Sequence, residues 1–434
     1  MSCRVALLGV GTVGGGVAQL LVDEAEALKT RTGDLDIALV AAADLDQERL
    51  AALAAQGVET TADARSLIAR DDIDVVVELV GGTTIAKDFV VAALRTGKAV
   101  VTANKALLAH AGNEIFKAAK EGGANLGFSA SVCGGTPVLL ALRSGLVANE
   151  VTSVMGIVNG TCNYILTKMT REGEDYATAL AAAQQNGYAE ADPTLDVEGN
   201  DSAHKLAILT ALAFRRSVPL DAIPCEGIAS LDRIDIRYAD ELGYVIKLLA
   251  IAKRAGDDVE VRVHPTLLPK DHPLAAVSDV FNAVETHGHA VGRVMLYGRG
   301  AGRMPTASNV VADIVEIARG AAPKAADQFA FWANDDPVAP LPQGETRTRF
   351  YARFTVKDEY GVLGRLAQVL GEHKVSIASV IQKPHDVASD SAATHVVVLT
   401  HEAKESDFAN ALATINGFAF VTRPTTFIRL EDKE

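Results

Sequence analysis

Residues 186–209 concentrate side chains that could carry out proton transfer. The segment reads NGYAEADPTLDVEGNDSAHKLAIL, with five acidic residues and one lysine immediately before an apolar helix. Asp201 and Lys205 are four residues apart, so they lie one helical turn apart on the apolar face of that helix. Burial favours the neutral form of a lysine, whereas a neighbouring carboxylate favours the ammonium. A lysine in this position could exchange a proton with a carbonyl oxygen.

The same segment leaves alternatives open. Glu190, just before the turn at residues 192–193, could bind a substrate ammonium. Asp201 and Lys205 could also form an ordinary surface ion pair, which would contribute about 0.2–0.5 kcal/mol. The density of acids around a single lysine favours a site.

The N-terminus has the pattern of a dinucleotide-binding unit. An apolar run at residues 4–8 precedes the sequence GVGTVG, and helical periodicity follows it. Glycines in this pattern permit a tight turn and close approach of the backbone to a pyrophosphate, which the helix N-terminus stabilises. Asp44, after a predicted strand at residues 37–43, would bind the adenosine ribose or would only cap the next helix. The expected cofactor contacts in the turn are Gly9, Val10, Gly11, Thr12, Val13 and Gly14.

Further strand–helix units continue the same domain. Predicted strands at residues 75–80 and 99–102 are followed by Thr83 and Lys105 respectively. Residues just past the carboxyl ends of parallel strands line the crevice where ligands bind. Thr83 and Lys105 are therefore predicted to face the nicotinamide, although Lys105 could instead be a solvated surface lysine.

Small residues and a cysteine at residues 126–137 suggest two other chemistries. The segment is a predicted strand that breaks into a Gly-Gly-x-Pro turn, whose free carbonyls could wrap a ligand or a cation, or form an ordinary turn. Cys133 raises the alternative of an acylating aldehyde dehydrogenase, in which a thiolate activated by a nearby base is the nucleophile. No histidine lies close in sequence to Cys133 or Cys162.

The composition limits the class of protein. A chain of 434 residues is expected to form two or three domains. Its formal charge of −14 argues against nucleic-acid and anionic-membrane partners. Four scattered cysteines without a CxxC pair favour a reducing cytoplasm, and no apolar run is long enough to cross a bilayer.

Four segments together resemble the homoserine dehydrogenase family. Residues 187–209 resemble its long signature, and agreement extends to GVGTVGGGV at the N-terminus, NGTCNYIL at 159–166 and YGRGAGRMPTASNVVADIV at 297–315. The family interconverts aspartate 4-semialdehyde and homoserine with NAD(P), in the pathway to threonine, methionine and isoleucine. Two rivals to this activity are a cysteine-dependent aldehyde dehydrogenase and a non-catalytic sensor of NAD(P) and amino acids.

The resemblance implies roles for individual residues. Lys205 would donate the proton to the aldehyde with support from Asp201, Glu190 and Asp196 would bind the substrate, and Lys105 would lie between nicotinamide and substrate. Gly302 is expected to return the chain to the cofactor crevice. Ala43 stands before Asp44 where relatives that prefer NADP often have Arg, which favours NAD.

A monovalent cation, sodium or potassium, is also implied by the resemblance. Carbonyls around Val132, Gly134 and Thr136 would hold it. Ser129 stands where family members usually have Glu, which puts this cation site in doubt.

The predicted fold is α/β with three domains. A Rossmann-type dinucleotide-binding domain is followed by an α+β substrate-binding and dimerisation domain, whose first helix is expected to be capped by Thr161 or Asn163. The C-terminal strands and helices follow the order βαββαβ, a ferredoxin-like module whose last strand is predicted at residues 418–422. The predicted boundaries are 1–130 (rejoined by about 305–320), 131–304, a linker rich in Ala, Pro and Asp at 321–346, and 347–434.

The C-terminal module resembles an ACT domain. VKDEYGVL at residues 356–363 matches the first strand–helix turn where such domains bind small amino acids, with Tyr360 in place of the usual Pro. The resemblance implies feedback by an amino acid, threonine first, although the module could serve only assembly. The sequence thus predicts a cytoplasmic enzyme acting on a small-molecule substrate, without nucleic-acid or membrane partners, as a homodimer or homotetramer.

Overall fold

The structure is a computed structural model that describes residues 2–322, 329–333, 337–383 and 393–432. Its α-helices are α1 (Thr12–Val22), α2 (Ala25–Thr32), α3 (Gln47–Ala54), α4 (Ala64–Ile68), α5 (Ile85–Arg95), α6 (Lys105–Gly122), α7 (Val138–Leu140), α8 (Gly160–Arg171), α9 (Tyr176–Gln185), α10 (Thr194–Val197), α11 (Asn200–Phe214), α12 (Arg233–Glu241), α13 (Arg303–Ala318), α14 (Ala330–Ala333), α15 (Val362–Glu372) and α16 (Glu405–Asn416). Short 3-10 turns lie at Ser129–Ser131, Leu220–Ala222, Pro273–Ala276 and Gln343–Glu345, and a π turn lies at Ala141–Gly145.

The first sheet is six-stranded and parallel, in the order β3-β2-β1-β4-β5-β6. Helices cover both faces, which is why its strands are nearly continuous apolar runs. The strand order reverses between β1 and β4, and ligands bind at such a reversal, outside the carboxyl ends of the strands. The strands are β1 (Cys3–Leu8), β2 (Ile37–Ala43), β3 (Glu59–Thr61), β4 (Val75–Glu78), β5 (Ala99–Thr102) and β6 (Leu126–Gly127).

Two helices explain features that the strand pattern leaves open. The chain between the glycine-rich turn and Asp44 is longer than the usual spacing of about 20 residues, and the additional residues form α2, which follows α1 directly. Late in the chain, α13 packs against α1, where a Cβ on Gly16 would lie 3.0 Å from the Cβ of Ala307. Glycine at that position therefore permits close helix packing. The segment 305–320, assigned from sequence to the first domain, lies within α13 except for its last two residues.

The second sheet has ten strands in the order β11-β10-β7-β8-β9-β16-β12-β14-β13, with β15 paired to β12. The order β16-β12-β14-β13 within the C-terminal module is that of a βαββαβ unit, as predicted. The strands are β7 (Val151–Ile157), β8 (Tyr244–Ala255), β9 (Asp258–Pro269), β10 (Phe281–Gly288), β11 (Gly292–Arg299), β12 (Arg347–Lys357), β13 (Ile377–Gln382), β14 (Ala393–Thr400), β15 (Ala403–Lys404) and β16 (Val421–Leu430).

The last strand corrects the prediction of a strand at residues 418–422. It begins at Val421 and continues to Leu430, pairing with β12 on one side and in parallel with β9 on the other. The register with β12 shifts around Pro424, which lacks an N–H and is tolerated at such an irregularity. The C-terminal module and the middle of the chain therefore share one sheet.

The predicted linker at residues 321–346 lies partly outside the described residues. Within its described part, Phe329 and Trp332 are buried against Phe116 and Phe128 of the first domain. The Trp332 and Phe116 rings stack with centroids 4.5 Å apart. Among the described helices, none is long and apolar enough to cross a membrane.

Candidate active site

A cavity of about 540 Å³ brings together six of the residues predicted for the site. Lys105 reaches it from the end of the first sheet, and the acidic segment reaches it from α10 and α11. The turn after β11 closes another wall. The predicted residues among its lining are Lys105, Glu190, Asp196, Asp201, Lys205 and Gly302, and Asn159, Tyr188 and Arg299 also line it.

Lys205 is held in one position by two oxygens. Its Nζ donates to Asp201 Oδ2 at 2.7 Å and to the carbonyl of Val158 at 2.6 Å, and only 11% of its side chain is exposed. Burial alone would lower the pKa of Lys205, but the charge and hydrogen bond of Asp201, together with the charge of Asp196, outweigh it, so the pKa lies above the ordinary lysine value. Lys205 is therefore an ammonium at neutral pH. Its two hydrogen bonds fix the position of this ammonium in the wall of the cavity.

The backbone before α11 makes this pair possible. Gly199 precedes the helix with φ at +86°, a left-handed conformation that favours glycine. A Cβ there would also lie 2.8 Å from Cys225 Sγ. The chain can thus turn directly from α10 into α11, which places Asp196 beside Asp201 and Lys205.

Asp201 faces two lysines. Lys105 is the first residue of α6, and its Nζ lies 3.2 Å from Asp201 Oδ1. Burial raises the pKa of Asp201, but the charges of Lys205 and Lys105 outweigh it, and the pKa falls below the ordinary value. Asn104 fixes the start of α6 because its side chain accepts from the N–H of Leu107 at 3.0 Å.

Asn159 is a site residue that the sequence interpretation missed. Its Nδ2 donates to Asp196 at 2.7 Å and to Asp201 at 2.8 Å, so one amide holds both carboxylates. Its Oδ1 accepts from the N–H of Cys162 at 2.8 Å and caps α8. The cap is therefore Asn159 rather than Thr161 or Asn163, because α8 begins at Gly160, earlier than either of those caps implies. An Asn directly before a helix was the signal that could have identified it.

The remaining acids of the segment have separate positions. Asp196 is partly buried, and burial raises its pKa above the ordinary value. Glu190 is exposed and lines the cavity from the turn after α9. Asp192 accepts from the N–H and hydroxyl of Thr194, so it stabilises the turn. Arg299, at the end of β11, also lines the cavity and was not included in the sequence interpretation; its guanidinium lies over the Phe281 ring, 5.6 Å from the centroid.

The glycine-rich turn forms a backbone cradle suited to a pyrophosphate. Gly9 has φ at +93°, and a Cβ there would lie 2.6 Å from the Leu79 carbonyl group. At Gly14 a Cβ would lie 2.0 Å from the Gly9 oxygen. These positions require glycine, and the turn leads into the N-terminus of α1 at Thr12 and Val13.

A second cavity of about 570 Å³ begins at this turn and passes Asp44. Asp44 accepts from the N–H of Val10 at 2.5 Å and of Asp46 at 2.9 Å. Burial raises the pKa of Asp44, but these backbone donors outweigh it and hold the pKa below the ordinary value. The cap of the next helix is Asp46, which removes the interpretation of Asp44 as a mere cap. Arg49 and Arg65 line the same cavity.

Thr83 lies outside both cavities. It is exposed in the turn between β4 and α5 and is absent from the described lining of either space. The turn is held instead by buried Glu78, which accepts from the N–H of Val80 at 3.0 Å and the hydroxyl of Thr102 at 2.7 Å. The contact predicted for Thr83 stays a prediction.

Family models and a known relative match most of the chain. Residues 137–315 match the family model for homoserine dehydrogenase, and residues 9–129 match the model for the homoserine dehydrogenase NAD binding domain. A homoserine dehydrogenase of Neisseria gonorrhoeae is 45% identical over 99% of this chain and 98% of its own length. The chain belongs to the homoserine dehydrogenase family. Residues 350–419 match the ACT domain model, which confirms the resemblance of the C-terminal module.

Solved structures agree with this assignment. A crystal structure of a homoserine dehydrogenase from Thiobacillus denitrificans superposes with a TM-score of 0.91, at 42% identity, over 100% of this chain and 99% of that one. A hyperthermophilic archaeal homoserine dehydrogenase in complex with NADPH superposes with a TM-score of 0.63, at 27% identity, over 75% of this chain and 99% of that one.

The residues of the cation site implied by the family resemblance are buried, and two of them contact α13. The Ser129 hydroxyl donates to Asp313 at 2.6 Å, and the Gly134 carbonyl accepts from Asn309 at 2.7 Å. The buried Thr136 Oγ1 has no hydrogen-bond partner within the described parts of the chain, and Val132 is fully buried. The Ser129 hydroxyl and the Gly134 carbonyl therefore each have a protein partner, and the cation site stays a prediction.

The two buried cysteines, Cys133 and Cys162, are unsuited to act as catalytic nucleophiles. Cys133 and Cys162 are almost fully buried, and burial raises the pKa of both thiols. The Cys133 Sγ accepts a hydrogen bond from Asn282 at 3.4 Å, and the Cys162 thiol donates to the Asp196 carbonyl at 3.2 Å. A neutral, buried thiol argues against the thiol-dependent aldehyde dehydrogenase.

Proposed function

We propose that the protein interconverts L-homoserine and L-aspartate 4-semialdehyde with NAD(P). The observation that carries the proposal is the Lys205 ammonium, held by Asp201 and the Val158 carbonyl at the wall of a carboxylate-lined cavity. Lys105 follows β5 of the dinucleotide-binding sheet and lines the same cavity, which links the substrate space to the nicotinamide end of the cofactor cleft.

The cavity offers groups of the right charge for an amino-acid substrate. The carboxylates of Glu190 and Asp196 would bind the substrate ammonium. The Arg299 guanidinium would bind the substrate carboxylate, since its fork geometry matches two oxygens. Asn159 keeps Asp196 in place through its 2.7 Å hydrogen bond. Binding both ends of the substrate leaves its side-chain oxygen free to face the lysines.

Lys205 would move the proton at that oxygen. The bound nicotinamide ring supplies or accepts the hydride. During reduction the Lys205 ammonium donates its proton to the aldehyde oxygen, and during homoserine oxidation neutral Lys205 accepts the hydroxyl proton. Lys105, paired with Asp201 at 3.2 Å, places a second positive charge where negative charge develops on the oxygen.

The cofactor cleft supports use of NADP(H) as well as NAD(H). Asp44 lies where an acid binds the ribose hydroxyls, and the absence of Arg at position 43 favours NAD. However, Arg49 and Arg65 line the same cavity, and an Arg nearby accommodates a 2′-phosphate. Exchange of Arg65 for Ser should lower kcat/KM with NADPH more than with NADH. The control is Arg95→Ser, at an exposed arginine that does not line the cleft.

The C-terminal module would bind an amino-acid effector, threonine first. A cavity of about 230 Å³ lies at the first strand–helix turn of this module. Gly361 enters α15 there in a left-handed conformation, and the backbone at residues 356–364 borders the space. The match to the ACT domain model over residues 350–419 supports a ligand at this turn.

A physical connection supports feedback from this module to the substrate site. Arg429 on β16 binds the carboxylate of Glu226 at 2.8 and 3.0 Å and that of Glu405 at 2.9 Å. The segment after Glu226 lies against α10, because the N–H of Ile228 donates to the Val197 carbonyl at 2.8 Å. A shift of β16 would therefore reach the helix that carries Asp196.

The proposed setting is the cytoplasm, in the pathway to threonine, methionine and isoleucine, as a homodimer or homotetramer. The edge strand β11 supports assembly, because its exposed side includes Met295 and Tyr297. An exposed edge strand with apolar side chains favours pairing with another chain.

A homoserine oxidation assay with NAD and with NADP, each with and without threonine, tests the proposal. We expect turnover with at least one dinucleotide and inhibition by threonine. Dinucleotide binding without any oxidation of homoserine would contradict the enzyme and favour a sensor. Turnover that threonine and other amino acids leave unchanged would contradict the feedback alone.

A further inference from the structure

Glu78 is a fully buried acid at the point where the strand order of the first sheet reverses. It is the last residue of β4, and it pairs with Leu8 of β1 on one side and with Thr102 of β5 on the other. The carboxyl ends of these three strands border the crevice in which a dinucleotide binds. An acid is rarely buried completely unless its oxygens have partners, so the partners indicate what Glu78 does.

One oxygen of Glu78 holds the turn between β4 and α5, which we call the β4–α5 turn. Its Oε1 accepts hydrogen bonds from the N–H of Val80 at 3.0 Å and from that of Gly81 at 3.3 Å. Gly81 and Gly82 have φ at +76° and +72°, and a Cβ on either would have no heavy atom of the described residues within 4 Å beyond its chain neighbours. Glycine is conformationally permissive, and packing does not confine these two, so hydrogen bonds must fix the turn.

The other oxygen of Glu78 reaches the start of α6. Its Oε2 accepts from the Thr102 hydroxyl at 2.7 Å, and Thr102 Oγ1 in turn accepts from the N–H of Asn104 at 3.0 Å. The Asn104 side chain donates to the Gly82 carbonyl at 2.7 Å, which closes the path back to the β4–α5 turn. Lys105 follows Asn104 directly and is the first residue of α6. One buried carboxylate therefore fixes both the β4–α5 turn and the backbone beside Lys105.

The β4–α5 segment also contacts the glycine-rich turn. The N–H of Leu79 donates to the Leu8 carbonyl at 2.8 Å, immediately before Gly9. A Cβ on Gly9 would lie 2.9 Å from the backbone nitrogen of Val80, whose N–H Glu78 accepts. A shift of the β4–α5 turn would therefore reach the backbone that is suited to a pyrophosphate.

The groups around Glu78 require an acceptor at both of its oxygens. A carboxylate accepts at both, whereas the amide of Gln accepts at one position and donates at the other. An amide nitrogen beside Thr102 would donate to the hydroxyl oxygen, which already accepts from Asn104, and the hydroxyl proton would lose its acceptor. In the other orientation the amide nitrogen would face the N–H of Val80. Glu78→Gln thus conserves the volume of the side chain but breaks one of its two links.

We propose that Glu78 is a positioning residue, which acts through the β4–α5 turn on the dinucleotide and through the Thr102 hydroxyl on Lys105. The role at Lys105 rests on the proposed function, in which this lysine places a positive charge where negative charge develops on the substrate oxygen. Displacement of Lys105 would therefore lower kcat. The groups that would bind the substrate ammonium and carboxylate lie on other elements, so KM for homoserine should change little.

Kinetics of homoserine oxidation and calorimetry of dinucleotide binding test the proposal in the full-length protein. In Glu78→Gln we expect kcat to fall about tenfold, KM for homoserine to stay within about twofold, and the dinucleotide to bind at least about threefold more weakly. Thr102→Val removes the hydroxyl and should lower kcat, whereas Thr102→Ser keeps it and should restore kcat to near the native value. The double variant Glu78→Gln with Thr102→Val should lose no more kcat than the larger single variant, because both break the same link. The control is Glu121→Gln, at an exposed acid near the other end of α6.

Thermal melting establishes that each variant is folded. Native kcat and dinucleotide affinity in folded Glu78→Gln would overturn the proposal, as would equal losses in Thr102→Val and Thr102→Ser. A rise in KM for homoserine as large as the fall in kcat would indicate a general loss of structure and would also overturn it. If Glu78→Gln does not fold, the comparison of Thr102→Val with Thr102→Ser decides.

Failure of the proposed function would be distinguishable from failure of this proposal. A native protein that binds the dinucleotide without oxidising homoserine would contradict the proposed function. Calorimetry would then still test Glu78, because weaker dinucleotide binding in Glu78→Gln than in Glu121→Gln supports its action on the β4–α5 turn, and equal binding overturns it.

Discussion

Exchange of Asp201 for Asn removes the largest of the charges that oppose the effect of burial on the pKa of Lys205. In the native protein the ammonium groups of Lys205 and Lys105 lie 2.7 and 3.2 Å from the Asp201 carboxylate. The variant keeps the size of the side chain but places a neutral amide beside both ammonium groups. Burial then lowers the pKa of Lys205, which Asp201 holds above the ordinary value in the native protein. The lysine also loses one of the two oxygens that direct it.

The expected result is a change in both rate and pH dependence. Proton transfer by a positioned side chain contributes about 10²–10⁴-fold, and we expect kcat for homoserine oxidation to fall by roughly 10². Oxidation needs neutral Lys205, so its rate rises with pH through the pKa of this lysine. In the variant the rise should move to lower pH, because the pKa of Lys205 is no longer raised.

Initial rates between pH 7 and pH 11 measure both effects. Glu198→Gln removes an exposed carboxylate from the same acidic segment and should leave the profile unchanged. If Asp201→Asn kept kcat within about threefold of the native value with the same pH profile, the reasoning would be refuted.

The same pair contributes to stability in a defined pH window. The pKa of Lys205 is raised on folding, so its contribution is full below the unfolded pKa of about 10.4 and is lost as pH rises through the folded pKa. The pKa of Asp201 is lowered, so its contribution is full above about 3.9 and is lost as pH falls through the folded pKa. The difference in melting temperature between native protein and Asp201→Asn should therefore be largest between about pH 4 and pH 10.

Four further changes follow from the geometry. Gly14→Ala should abolish dinucleotide binding and destabilise the fold by about 1–3 kcal/mol, because its Cβ would lie 2.0 Å from the Gly9 oxygen. Gly15→Ala is the control, because the atom nearest to its Cβ would be 3.7 Å away. Calorimetry should find dinucleotide binding lost in Gly14→Ala and retained in Gly15→Ala. Asn159→Ser keeps a capping oxygen but cannot reach both carboxylates, so kcat/KM for homoserine should fall about tenfold with little change in melting temperature. Glu226→Gln should weaken threonine inhibition at least severalfold while basal turnover stays near normal, and equal inhibition of both proteins would exclude this connection. Treatment of the native protein with iodoacetamide should leave turnover intact, because the thiols of Cys133 and Cys162 are buried and neutral. Inactivation by iodoacetamide that the substrate prevents would argue for a thiol mechanism.

Local sequence spacing was sufficient for the glycine-rich turn and for the pair of Asp201 and Lys205. Both depend on the geometry of one helix or one turn. Asn159 was missed because it meets Asp201 across 42 positions of sequence. The partner of Ser129, Asp313, is 184 residues away, so its hydroxyl could not be assigned from neighbours.

The joining of the two sheet regions was equally non-local. The parallel pairing of Arg429 with Thr266 has no signal in the hydrophobic pattern of either strand. The segment around Trp332 has the composition of a linker, yet its aromatic rings are buried against Phe116. Composition predicts the average character of such a segment, whereas a single buried ring decides its position.

Turnover of Lys205→Ala with dinucleotide binding measured in the same preparation tests the central claim most directly. If Lys205 transfers the proton, kcat in both directions should fall by about 10²–10⁴, while the dissociation constant for the dinucleotide stays within about twofold of the native value. Near-normal turnover with intact dinucleotide binding would contradict the assignment of Lys205 as the proton-transferring residue.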